Sequence, residues 1–232
     1  VTKNILNVAK KFNINKIIFS STAAVYQSTN KKISENNFVK PNNIYGKTKL
    51  DCEKLIKKQN FNYFIFRFFN VCSSYIEEKV GEMHTPETHL IPIVVNKMLN
   101  HKKLKIYGSK YNTKDGTCIR DYIHIKDLCN AHYLAIKKLS IKNFRETINL
   151  GTGKGFSNLE IIKAAKKISN ELNFEFVSNR YGDSPKLVCS NYRAKKIISW
   201  SPINSDLKKI LYNEIQWQNF LKLKKIKITT KY

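Results

Sequence analysis

Tyr45-Gly46-Lys47-Thr48-Lys49 and the hydroxyl run Ser20-Ser21-Thr22 are the residues in this chain best suited to proton transfer. Tyr45 and Lys49 stand four apart, so on a helix they share one face and can address the same bound molecule. A hydroxyl cluster ending the apolar run Ile17-Ile18-Phe19 would set Thr22 or Ser21 beside that pair. A Tyr base next to a Lys cation, completed by a hydroxyl, can move protons on and off a sugar or alcohol oxygen. The same spacing also arises by chance in a Lys-rich chain, and an exposed helix start with a surface Tyr is the competing reading.

The elements around these residues decide between the two. Ile5, Leu6, Val8, Ala9 and Phe12 make an apolar stripe at helical spacing, and Lys16 to Ser21 reads as a buried-type strand. A polar loop from Gln27 to Asn43 leads to a helix from about Ile44 to Gln59, followed by the apolar strand Tyr63 to Phe68. Helix, strand, helix, strand is the rhythm of an α/β doubly wound parallel sheet. In such sheets ligands sit at the carboxyl ends of strands, where Thr22 and Asn70 fall.

The stretch from Asn70 to Glu87 reads as irregular and too long for a plain connector. Helices are expected over His89–Asn100, Lys126–Leu139, Asn191–Ile198 and Asp206–Leu221, and from the capping-box spacing Ser157-Asn158-Leu159-Glu160 to about Asn170. Short strands are expected at Leu104–Ile106, Cys118–His124, Glu146–Leu150 and Phe174–Val177.

Composition narrows the class. The 232 residues are 42% hydrophobic and 25% charged, as in ordinary globular proteins, but the net charge is +25. Such an excess raises nucleic acid as a partner. Here the lysines are spread evenly among Asn and Ile, with only short basic runs such as Lys222 to Lys227, so nucleic acid is not the expected partner. Five scattered cysteines without C-x-x-C spacing suggest reduced thiols rather than a disulfide framework or a zinc site. No apolar run reaches membrane-spanning length, and the N-terminus lacks a signal-peptide pattern, so a cytoplasmic protein is expected.

Further motifs carry alternatives. Gly151-Thr152-Gly153-Lys154-Gly155 follows a strand and precedes a helix, which fits a dinucleotide loop or simply a tight turn. Arg120-Asp121-Tyr122 with His124 could clamp a phosphate or form a surface ion pair. Arg180-Tyr181-Gly182-Asp183 is a turn with a second Arg and an acid. His84 and His89 hint at a metal, but the spacing offers no third ligand, so loop polarity is the expectation and no metal is predicted.

Taken together these segments resemble the UDP-glucose 4-epimerases of the extended short-chain dehydrogenase/reductase family, from Val1 to about Trp217. The resemblance rests on Phe19–Tyr26, Tyr45–Lys49, Arg67–Asn70, Pro86–Pro92, Asp115–His124 and Asn149–Ser157. It implies that Tyr45 is the catalytic base, Lys49 its partner and Thr22 the hydroxyl bonded to the sugar's 4-hydroxyl. NAD would be the cofactor, touched by Ser20, Tyr45 and Lys49, and would accept and return a hydride at the sugar's fourth carbon. A UDP-hexose would be anchored by Asn70, His89, Leu90, Tyr107, Arg120, Tyr122, Arg180 and Asp183, with the arginines facing the diphosphate. Leu187 stands where the family gates the sugar's 2-substituent, and a Leu there suggests tolerance of N-acetyl groups. The glycines at 151–155 become a structural turn.

The resemblance also implies a fold. Residues 1–72 and 118–150 would be the C-terminal part of a Rossmann-type NAD-binding domain. Residues 73–117 and 151–221 would form a smaller α/β UDP-sugar domain, and 222–232 a basic tail. The family's G-x-x-G-x-x-G loop, which holds the pyrophosphate, is absent. About 100 residues of a usual dinucleotide-binding domain are thus expected to be missing. This stretch alone should therefore bind NAD weakly or not at all, be inactive by itself, and expose a sheet edge. An intact version is expected to be a homodimer. Gln27 and Ser73-Ser74 depart from the family pattern and suggest relaxed selection. Two other readings stay open: a related epimerase or dehydratase, disfavoured because Ala23-Ala24 follow Thr22, and a non-catalytic remnant or basic binding protein.

Overall fold

The computed structural model describes residues 1–169, 172–180 and 182–224. In chain order the helices are α1 (Thr2–Lys11), α2 (Ile44–Lys57), α3 (Leu90–Leu99), α4 (Ile125–Ile141), α5 (Asn158–Lys166), α6 (Tyr192–Ile198) and α7 (Leu207–Leu223). The strands are β1 (Lys16–Thr22), β2 (Asn62–Phe68), β3 (Asn70–Cys72), β4 (Leu104–Tyr107), β5 (Ile119–Arg120), β6 (Tyr122–His124), β7 (Arg145–Leu150), β8 (Phe156–Ser157), β9 (Phe174–Val177) and β10 (Lys186–Leu187).

β1, β2 and β7 form a parallel sheet in that order, with Thr22 level with Phe68 and Phe68 level with Leu150. The carboxyl ends of all three strands therefore open on one edge, as a doubly wound sheet requires. Parallel strands covered on both faces read as continuous apolar runs, and Phe64, Ile65 and Phe66 are indeed fully buried. One face packs on α4 and α6 through Phe64, Phe66, Ala131, Ala135, Ile148 and Trp200. The other packs on α1 and α2 through Leu6, Ala9, Ile56, Tyr63 and Ile65.

A second core unites Ile91, Val94, Met98, Leu104, Ile106, Ile161, Ile162, Ile210 and Leu211 from α3, β4, α5 and α7. The parallel pair β3–β6 joins the two cores, with Cys72 and Tyr122 in the second and Ile123 in the first, while β4–β9 lies with the second and β10–β5–β8 forms a further small sheet. The predicted capping box is present: the Ser157 hydroxyl accepts from Glu160 N–H, and the Glu160 carboxylate accepts from Ser157 N–H.

Three expectations change. The predicted strand Cys118–His124 is two strands broken at Asp121, because that carboxylate turns inward to bind backbone elsewhere. The stretch 70–87 is not wholly irregular: β3 pairs with β6, and Ile76–Glu78 form a 3₁₀ turn. Of the first helix's stripe only Leu6 and Ala9 are buried, while Ile5, Val8 and Phe12 are exposed. Among the described residues β1 is an edge strand of its sheet. The basic tail is α-helical to Leu223, with Lys224 as the C-cap, and from residue 225 lies outside the described residues.

Candidate active site

Thr22 closes β1, and its Oγ1 accepts the Ala24 N–H at 3.1 Å, so the strand turns sharply into the short turn Ala23–Val25. α2 then docks on that turn. Asn43 caps it by accepting the Gly46 N–H at 2.8 Å. At Gly46 any Cβ would lie 2.3 Å from the Ala24 carbonyl oxygen, so only glycine allows this approach. The result sets Tyr45 over the end of β1. Lys49, one turn further along, donates to the Ser20 carbonyl at 2.8 Å and lies 5.8 Å from the centre of the Tyr45 ring.

Thr22 and Tyr45 line one cavity of about 550 Å3 together with Phe69, Asn70, Glu82, His84 and His89. A second cavity of about 200 Å3 is lined by Asn70, His89, Leu90, Tyr107, Arg120, Tyr122, Arg180 and Asp183. Asn70, Val71, Cys72 and His89 belong to both walls, so the two cavities adjoin. Every predicted substrate-binding residue except Leu187 lines one or both. Leu187 pairs in register with Arg120, but its side chain packs beside Ala23, Phe69 and Cys189.

The second cavity is cationic. Arg120 is held by the Ser184 carbonyl at 2.7 Å and lies 3.6 Å from the Asp183 carboxylate. The Arg180 guanidinium stacks 3.9 Å from the centre of the Tyr107 ring. Two fixed guanidinium groups beside an open cavity can accept a diphosphate.

Of Arg120, Asp121, Tyr122 and His124, read as a phosphate clamp or an ion pair, Arg120 and Tyr122 line the second cavity and the other two do not. Asp121 is buried and accepts from Thr152 N–H, Gly153 N–H and Cys189 N–H at 2.8–3.1 Å, with burial still pushing its carboxyl up. The 151–155 turn therefore holds a protein carboxylate with its amides, and its glycines are structural: Gly153 has φ +77°. His124 faces away from the cavities and caps α4 through Nδ1.

Several supports were not legible beforehand. Ser21 donates to Glu53 at 2.5 Å, and Glu53 binds Arg67 through two bonds of 2.9 and 2.6 Å, all within the interior. This network ties α2 to β1 and β2 about two helical turns beyond Tyr45. Its members lie 14 and 32 positions apart, and only the presence of Arg67 inside an apolar strand signals it. Ser73 and Ser74, read as relaxed positions, donate to the carbonyls of Ile210 and Asn213 and so fasten α7.

The model of the NAD dependent epimerase/dehydratase family matches residues 1–151. A UDP-glucose 4-epimerase of Lacticaseibacillus casei is 39% identical over 220 residues, covering 92% of this chain and 66% of that protein. A crystal structure of a UDP-glucose 4-epimerase superposes with TM-score 0.87 at 41% identity, covering 94% of this chain and 68% of the other. That of the Bifidobacterium longum UDP-glucose 4-epimerase, in complex with NAD+ and UDP, gives TM-score 0.87 at 30% identity over 94% of this chain and 68% of the other. The chain thus spans about two thirds of the length of the relatives it matches.

Proposed function

We propose that this chain, which belongs to the NAD dependent epimerase/dehydratase family, carries the proton-transfer and UDP-hexose-binding residues of a UDP-glucose 4-epimerase. The observation that carries this reading is the adjoining pair of cavities, one with Thr22 and Tyr45, the other with Arg120, Arg180 and Tyr107. A hexose in the first and a diphosphate in the second would share the wall formed by Asn70 and His89.

In this reading Thr22 Oγ1 hydrogen-bonds the sugar's 4-hydroxyl and Tyr45 accepts its proton, later returning it. The Lys49 ammonium stands 5.8 Å from the centre of the Tyr45 ring, on the same side of the helix. Arg120 and Arg180 hold the diphosphate while the sugar turns over. Bound NAD supplies the hydride acceptor and donor for the fourth carbon. Ser20, Tyr45 and Lys49 fit its nicotinamide side. The amides of the 151–155 turn do not fit its pyrophosphate, since Asp121 already occupies them. Residues 1–72 with 118–150, and 73–117 with 151–221, are the cofactor and substrate parts in this reading; the two cores follow that division in the main, but Ala194, Ile198 and Trp200 pack with the first part and Cys72 and Tyr122 with the second.

A dehydratase is less well supported. Ala23 and Ala24 follow Thr22, and Ala23 is buried, so no acidic pair adjoins the hydroxyl.

The chemistry is tested in a chimera joining this chain to the N-terminal third, glycine loop included, of a UDP-glucose 4-epimerase. The chimera should convert UDP-galactose to UDP-glucose with NAD, and its Tyr45→Phe variant should not. Conversion that survives Tyr45→Phe, or binding of UDP-galactose without conversion by the folded chimera, contradicts the reading.

A further inference from the structure

The loop between the 3₁₀ turn Ile76–Glu78 and α3 gathers four ligand-type side chains at one point: Glu82, His84, Glu87 and His89, whose donor atoms all lie within 4.8 Å of one another. His84 Nδ1 and His89 Nδ1 both face the same oxygen, Glu82 Oε1, at 2.5 and 2.7 Å. His89 Nδ1 also lies 3.0 Å from Glu87 Oε1. The two imidazole rings stack with centroids 5.1 Å apart, which aims both nitrogens to one side.

The surroundings are built for such a point. Glu87 is 1% exposed, and among the described residues its Oε2 has no hydrogen-bond partner. A buried carboxylate oxygen left unsatisfied costs free energy that a cation would recover. The loop backbone is fixed on both sides of the cluster. Trp217 Nε1 donates to the Glu82 carbonyl at 2.8 Å, and a Cβ at Gly81 would strike the Trp217 ring at 2.4 Å. On the other side Glu87 Oε1 accepts the N–H groups of Thr88 and His89 at 2.7 Å.

We propose that Glu82, His84, Glu87 and His89 bind one divalent transition-metal ion of the zinc type, which clamps this loop against the start of α3. Two imidazoles, which are borderline nitrogen donors, together with two carboxylates suit zinc rather than magnesium or calcium, which prefer oxygen ligands. Around a tetrahedral zinc with bonds of about 2.0–2.2 Å, donor atoms stand about 3.3–3.5 Å apart. The observed set brackets that spacing, so small side-chain rotations suffice. The site lies at the mouth of the larger cavity, which Glu82, His84 and His89 line. Its role is to hold that wall in place, and no step of the sugar chemistry passes through the ion.

The test uses chelator-stripped protein titrated with Zn2+ in competition with a chromophoric chelator, and separately loaded with Co2+ for its visible spectrum. One equivalent of Zn2+ should bind, and the Glu82→Gln/His84→Ala variant should weaken binding more than about tenfold. The Co2+ spectrum should lack a thiolate charge-transfer band. His84 has a side chain 61% exposed, so His84→Ala alone serves as a second variant that leaves the fold intact. Failure to bind Zn2+, binding unchanged in both variants, or a thiolate band placing the ion on cysteine would each overturn the proposal.

Discussion

The Lys49 ammonium donates a 2.8 Å hydrogen bond to the main-chain carbonyl of Ser20, joining the helix that bears Tyr45 to the strand that ends in Thr22. The bond runs between positions 29 apart and sets the two candidate proton-handling groups on one cavity wall.

Tyr45→Phe should lower epimerisation in the chimera by about 10²–10⁴-fold, the usual contribution of a positioned acid–base group. The Tyr45 side chain is largely exposed, so the thermal midpoint should stay nearly unchanged. Steady-state rates paired with thermal melts check both halves.

Gly46→Ala should be damaging although alanine is the better helix former. The new Cβ would meet the Ala24 carbonyl at 2.3 Å, forcing α2 away from the strand end. The expected cost is about 1–3 kcal/mol, together with loss of activity from displacement of Tyr45. Urea unfolding measures the first and the conversion assay the second.

Glu53→Gln tests the support of α2. Glu53 and Arg67 are both buried, and the substitution leaves the guanidinium without its charge partner. Removing one member of a buried pair costs about 3–5 kcal/mol. An unfolding free energy unchanged by Glu53→Gln would show that the network does not hold α2.

These three residues mark what the sequence could and could not convey. Alternating apolar runs and caps are local signals, so the helices, the β1–β2–β7 sheet and the capping box at Ser157 were legible. The proximity of Tyr45 and Lys49 was legible too, because they lie about one helical turn apart on α2. The inward turn of Asp121, the Ser21–Glu53–Arg67 network and the convergence of Glu82 and Glu87 on His84 and His89 were not. Each depends on long-range packing or loop path, and neither leaves a period in the sequence.

Stability should fall below neutral pH through His124. Burial pulls this imidazole down to about 4, and its Nδ1 accepts the Lys126 N–H. Asp127 and Glu77 raise it, while Lys126 and Lys209 lower it. Unfolded, a His titrates near ~6.5. The unfolded chain therefore binds a proton that the folded chain refuses, and stability present above about pH 6.5 is lost as pH falls toward about 4, by up to about 3 kcal/mol. Glu214, pushed up to about 8 by burial, acts in the opposite sense. Comparing His124→Gln with the unaltered protein isolates the His124 contribution: its urea midpoint should depend less on pH between about 5 and about 7.

The most direct test of the central claim is calorimetric titration of the protein with UDP-glucose, repeated with Arg120→Ala and with UDP as competitor. The two adjoining cavities predict saturable one-to-one binding that UDP displaces and that Arg120→Ala weakens about tenfold or more. Absence of saturable binding, or binding indifferent to both UDP and Arg120, would contradict a UDP-hexose site.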